Sequence, residues 1–280
     1  IALGTSFTHA FAGENYDQFN PSAKLIMVNI DSSEMTKPGL NVDIAIEMDL
    51  KQFISEFIDD PKVCKINGKY SEWLKKCEKL KKDLPTFLPS FVGNPINSYY
   101  FVECLNKHSK KNHIFVDDAG SANYVCSQGL KLREGQREIT SGAFYSMGVA
   151  LPLAIGTAVT EPEAQVIAIT GDGSIELNIQ ELRTMSHNNL NVKLFVINNG
   201  GYASIRKSQD DMVGGRYTDD QEVLNFSKVA EAFELPFHIL EDYAKLDVNI
   251  PEILSVNGPV LIEVVCDLKQ EIIEPFKTGS

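Results

Sequence analysis

Two short stretches of this 280-residue chain combine oxygen ligands with glycine in a way that could hold a metal ion and a phosphate. The first is Gly171-Asp172-Gly173-Ser174. The second is Asn198-Asn199-Gly200-Gly201-Tyr202, with twenty-four residues between Gly173 and Asn198. A carboxylate and an amide oxygen are hard ligands, suited to Mg²⁺ or Ca²⁺. Glycines let backbone amides approach a phosphate closely, and a helix that starts after such a turn presents its positive end. A third stretch, Asp118-Ala119-Gly120-Ser121-Ala122-Asn123, offers a glycine and a hydroxyl that can donate to a second phosphate group.

The surrounding pattern shows what must carry these residues. Residues 166–169 and 192–197 are apolar runs that read as buried parallel strands, with a helical pattern between them. The polar stretches therefore fall at the carboxyl ends of strands, where open α/β sheets bind ligands. Strand and helix patterns alternate from about residue 95, which predicts an α/β fold with a doubly wound parallel sheet over 95–280. Its strands are expected at 114–117, 165–170, 192–197, 237–240 and 259–265, and its helices at 97–107, 146–160 and 224–233. Residues 1–60 read as the C-terminal part of a Rossmann-like domain, with strands at 25–30 and 42–48 and a helix capped by Asp49. Residues 61–94 read as a connector, with a lysine-rich helix over 72–82 and then Pro85 and Pro89.

The spaced motif, Gly-Asp-Gly followed after twenty-four residues by Asn-Asn, resembles the signature of thiamine diphosphate-dependent enzymes. Within these the chain looks like the acetolactate synthase-like group of 2-oxo acid decarboxylases and carboligases. The resemblance implies thiamine diphosphate and Mg²⁺ as cofactors and a 2-oxo acid as the small-molecule substrate. By the same resemblance Asp172, the side chain of Asn199 and the carbonyl of Gly201 bind Mg²⁺. Gly173 and Ser174 donate to the diphosphate, and Ala119, Gly120, Ser121 and Ala122 hold its terminal phosphate. Met147 is the bulky residue that props the cofactor into a bent shape, and the Tyr145 carbonyl accepts from the pyrimidine 4′-amino group. Tyr202 is counted with the cofactor-binding residues and opens a segment, 202–209, where family members place substrate-shaping residues.

The chain departs from the family pattern in two places. Acetolactate synthases proper carry a tryptophan near this segment, whereas the single tryptophan here is Trp73. Pyruvate decarboxylases carry an acid just after the metal loop, where this chain has Ile205-Arg206. Arg206 is read either as a ligand for a substrate carboxylate or as a solvated side chain. No catalytic acid or base is assigned. The family's activating acid belongs to a pyrimidine-binding domain, expected from a missing segment or from another chain of a homo-oligomer, a dimer or tetramer. Two alternatives stand beside this reading: a non-catalytic cofactor-binding or assembly subunit, and a Mg²⁺-dependent phosphate-transfer enzyme using Asp172.

Composition removes other classes. A net charge of −12 argues against non-specific nucleic-acid binding and against anionic membrane surfaces. No apolar run approaches the roughly 20 residues that cross a bilayer, and no signal-peptide pattern is visible, so a cytoplasmic location is expected. The five cysteines are odd in number and without a Cys-x-x-Cys pair, which predicts reduced thiols. No Gly-x-Gly-x-x-Gly fingerprint is present, and flavin is not expected. The chain opens Ile1-Ala2-Leu3-Gly4 as if inside a strand, which leads us to expect a piece of something longer.

Overall fold

The computed structural model describes residues 1–8, 12–13, 15–19, 21–62, 70–217, 222–270 and 272–273. The chain divides into two units, Ile1–Asp83 and Leu84–Ser280. Cys64, which falls in the expected connector, lies outside the described residues; Cys77, Cys104, Cys126 and Cys266 are unpaired thiols.

In the first unit, strands β1 (Ala2–Leu3), β2 (Ile26–Asn29) and β3 (Ile44–Glu47) form a parallel sheet in that order. Met27 and Val28 are fully buried, as a strand covered on both faces requires. Helix α1 (Leu50–Asp59) starts where Asp49 accepts from the N–H groups of Lys51 and Gln52 at 2.9 and 3.2 Å. Helix α2 (Ser71–Asp83) buries none of its residues, and Trp73 is exposed on it.

The second unit is built on a parallel sheet of six strands among the described residues. Helix α3 (Ser98–His108), capped by Asn97, leads into β4 (His113–Asp117), α4 (Gly120–Gly129) and β5 (Arg137–Ile139). Then come α5 (Ala150–Thr160), β6 (Gln165–Gly171), α6 (Asp172–Ile175), α7 (Leu182–His187), β7 (Val192–Asn198) and α8 (Ala203–Met212). Helix α9 (Phe226–Ala232), β8 (Phe237–Leu240), α10 (Leu246–Ser255) and β9 (Val260–Val265) complete it. The strand order is β5-β4-β6-β7-β9-β8, so the doubly wound α/β fold expected from the alternation is the fold observed.

Alternate residues of each central strand feed two separate cores. Ile167 and Ile169 of β6 pack with Phe101, Phe115 and Phe195 on one face, under α3, α4 and α10. Val166 and Ala168 face the other way, with Leu151, Leu182, Leu194 and Phe226 under α5, α7 and α9. Each of the Val, Leu, Ile and Phe side chains contributes about 1.5–3 kcal/mol on leaving water. Ala150, Ala154 and Ala158 line the inner side of α5, which lets that helix lie close to the sheet.

The order of the strands places the crevice. From β4 the chain crosses to β5 on one side and then to β6 on the other. Neighbouring connections therefore part at the carboxyl ends of β4 and β6, which is where ligands enter sheets of this kind.

Two helices differ from expectation. The helix expected over 146–160 starts at Ala150, because Tyr145 (φ 44°) and Gly148 (φ 79°) hold 145–148 outside helical geometry. The helix after Gly173 is three pieces, α6, a 3₁₀ segment (Glu176–Glu181) and α7, with a break at Asn178 (φ −136°, ψ 27°).

Candidate functional site

Asp172 follows β6 as the first residue of α6 and is 3 % exposed, inside a ring of backbone donors. Its Oδ1 accepts from Gly173 N at 2.8 Å, and its Oδ2 accepts from Asn199 N at 3.0 Å and Gly201 N at 2.8 Å. The turn after β7 is thus wrapped around the carboxylate that follows β6. Burial pushes the Asp172 carboxyl above its ordinary range, and the three N–H groups and nearby Arg206 pull against that.

Close packing explains the glycine beside it. A Cβ on Gly173 would stand 2.7 Å from the ring of Tyr202, whose backbone (φ 28°) is held in an unusual conformation for a side-chain-bearing residue. The ring lies over the turn and leaves no space for a methyl group.

Helix α4 supplies the second turn. Its cap residue, Ala119, has no side chain that can accept a hydrogen bond, so the first-turn N–H groups of Gly120, Ser121 and Ala122 point outward without a side-chain partner. A ten-residue helix with such an opening suits an anion. Ser121 Oγ accepts from Asn199 Nδ2 at 3.0 Å, which ties this turn to the one after β7 and leaves the Asn199 Oδ1 for a ligand.

All the residues expected at the site line one cavity of about 270 Å³, except Gly201. Tyr145 and Met147 enter it from the 140–148 loop, and Gly173, Ser174 and Tyr202 from the motif turns. Gly201 sits just behind, and its carbonyl accepts from Arg206 Nη1. The same guanidinium donates to the carbonyls of Gly200 at 2.6 Å and Asn199 at 3.0 Å. Arg206, partly buried, is not among the cavity-lining residues and gathers three carbonyls of the loop.

Ser204, within the 202–209 segment, and Tyr124, which had no role assigned from the sequence, also line the cavity. Asp118 is fully buried and accepts from Thr170 Oγ1 (2.9 Å), Ala119 N (2.7 Å) and Gly148 N (3.2 Å). Burial pushes its carboxyl up to about 6 against those hydrogen bonds.

The residues fit a cofactor with a diphosphate and a divalent cation. A buried carboxylate and an amide oxygen sit beside an uncapped helix turn, with apolar Met147 and Ile205 on the cavity wall. Among the described residues no three His, Cys, Asp or Glu side chains converge to hold a metal.

The C-terminal TPP-binding domain of thiamine pyrophosphate enzymes matches residues 118–264, just over half of the chain. The chain belongs to the thiamine pyrophosphate enzyme family. It is 29% identical over 288 residues to the acetolactate synthase isozyme 1 large subunit of Escherichia coli (strain K12), covering 100% of this chain and 49% of that protein. It is 29% identical over 291 residues to the acetolactate synthase large subunit of Cyanidium caldarium, covering 100% and 48%. The corresponding large subunit of Buchnera aphidicola subsp. Schizaphis graminum (strain Sg) is 30% identical over 235 residues, covering 83% and 41%. The chain spans about half the length of the curated relatives it matches. Among the described residues no helix is long and apolar enough to cross a membrane.

Proposed function

We propose that this chain carries the diphosphate- and Mg²⁺-binding half of the active site of a 2-oxo acid decarboxylase or carboligase of the acetolactate synthase type. The observation that carries the reading is the single cavity on which the turns after β4, β6 and β7 converge, with Ser121 and Asn199 bridging them. In this reading Asp172, Asn199 Oδ1 and the Gly201 carbonyl hold Mg²⁺, with Arg206 giving up its hold on that carbonyl. Ala119 to Ala122 take the terminal phosphate through the first turn of α4. Gly173 and Ser174 take the other phosphate, Tyr202 closes over the turn, and Met147 and the Tyr145 carbonyl receive the ring portion.

Thiamine diphosphate supplies the carbon nucleophile for 2-oxo acid chemistry; the protein supplies position and electrostatics. The cation at Asp172 offsets a diphosphate that an acidic chain would otherwise repel, and it acts within a Debye length, so the net charge does not oppose it. The acid that activates the pyrimidine comes, in this proposal, from a pyrimidine-binding domain on another segment or another chain. The working assembly is a homo-oligomer, dimer or tetramer, in the cytoplasm, and this chain is inactive without that domain. Residues 1–60 and 95–280 are assigned as central and cofactor domains, joined by 61–94.

Calorimetric titration with thiamine diphosphate and Mg²⁺ tests the site. Asp172→Ala is expected to weaken binding by about 100-fold, through loss of a ligand and of the loop's anchor. Equal affinity in both proteins would sink the assignment.

A further inference from the structure

Gly148 is gripped at both of its backbone groups. Its N–H donates to Asp118 Oδ2 at 3.2 Å, and its carbonyl accepts from Asn178 Nδ2 at 2.8 Å. Asp118 reaches it from the end of β4, and is itself fixed by Thr170 Oγ1 at the end of β6. Asn178 reaches it from the break between the helical pieces that follow the motif. The non-helical backbone of Asn178 coincides with this long-range bond. Space is the third restraint: at φ 79°, a Cβ on Gly148 would stand 2.7 Å from Leu177 Cβ. Met147, the adjacent residue, projects into the cavity.

We propose that Asp118 and Asn178 are positioning residues that lock the bend at Gly148 and so set how far Met147 projects into the cofactor cavity. The inference rests on that cavity holding thiamine diphosphate. Met147 would meet the ring portion of such a ligand, while the turns at Gly120 and Gly173 would meet its diphosphate. Loosening the bend then weakens recognition of the rings and spares recognition of the diphosphate. A purely structural role would weaken both alike.

Asn178 is half-buried, so it can be changed without opening the core. In Asn178→Asp the donor is lost and a carboxylate faces the Gly148 carbonyl; in Asn178→Gln a donor remains. Each intact chain, with Mg²⁺ present, is titrated calorimetrically with thiamine diphosphate and separately with inorganic pyrophosphate. Asn178→Asp is expected to bind thiamine diphosphate about tenfold more weakly and pyrophosphate within about twofold of wild type, with most of the loss recovered in Asn178→Gln. Equal losses for both ligands, or no loss for either, overturn the positioning role. A wild-type chain that does not prefer thiamine diphosphate to pyrophosphate overturns the cavity reading instead.

Discussion

The two ends of the six-stranded sheet both bury polar groups, and use them in opposite ways. At the amino-terminal end Lys193 is fully buried and donates to Asn191 Oδ1 at 2.8 Å and the Gly258 carbonyl at 2.5 Å. Beside it, Gln165 Nε2 reaches the Leu254 carbonyl at 3.0 Å, and His113 Nδ1 accepts from Lys110 N at 3.2 Å. Burial pulls the Lys193 ammonium down to about 8, and burial with the Lys110 and Lys193 charges pulls His113 to about 4. At the carboxyl-terminal end Asp118 and Asp172 are as deeply buried, and burial moves both carboxyls upward. A displaced titration thus marks both ends and distinguishes neither. What separates them is that Asp172 lines the cavity, whereas Lys193, Gln165 and His113 do not.

The largest effect that would break this contrast is expected at Gly173. Gly173→Ala sets a methyl group 2.7 Å from the Tyr202 ring. Overpacking of this kind costs about 1–3 kcal/mol, and thermal unfolding should fall by several degrees. Thiamine diphosphate affinity is expected to drop by about 100-fold if the turn cannot keep its shape. Unchanged affinity in a calorimetric titration would detach this turn from the cofactor.

Lys193→Met probes the other end and should leave cofactor affinity within about twofold of wild type. Its effect belongs to stability. The folded-state value of about 8 lies below the ordinary 10.5, so between these pH values the unfolded chain binds the extra proton. Wild type therefore gains stability as pH rises through that window, and the methionine variant lacks the gain. Urea midpoints at pH 8 and pH 10 measure the difference; equal slopes in the two proteins would mean that the lysine is hydrated.

The smallest effect is expected at the edge of the sheet. Asp117 Oδ2 and Glu138 Oε1 are buried without another partner, and the two carboxyls lie within hydrogen-bonding reach. Burial with the Asp117 charge pushes Glu138 up to about 7, so that a protonated Glu138 can donate to Asp117. Because this folded-state value exceeds the ordinary 4.5, the contribution is present below about pH 4.5 and lost as pH rises through about 7. Glu138→Gln should flatten the fall in urea midpoint between pH 5 and pH 7.5. An unaltered fall would assign it to other groups.

Much of the site was legible along the chain because its parts are local. Asp172 and Asn199 stand at the ends of apolar runs, Gly120 and Ser121 open a helix, and each of these follows from residue type and short spacing. The residues that hold the site in shape were not legible in this way. Asp118 and Asn178 each reach Gly148 from thirty positions away, and Arg206 caps carbonyls that only the turn brings together. The helical pattern read after Gly173 is interrupted at Asn178, whose side chain meets a loop distant in sequence.

By itself the sequence determined the alternation of strand and helix, the parallel sheet and the ligand-bearing turns, since hydrophobic period and turn glycines act over a few residues. Only the tertiary structure decided which turns would share a cavity. That depends on β4 lying between β5 and β6, and strand order is set by which faces bury one another, a property of the whole fold.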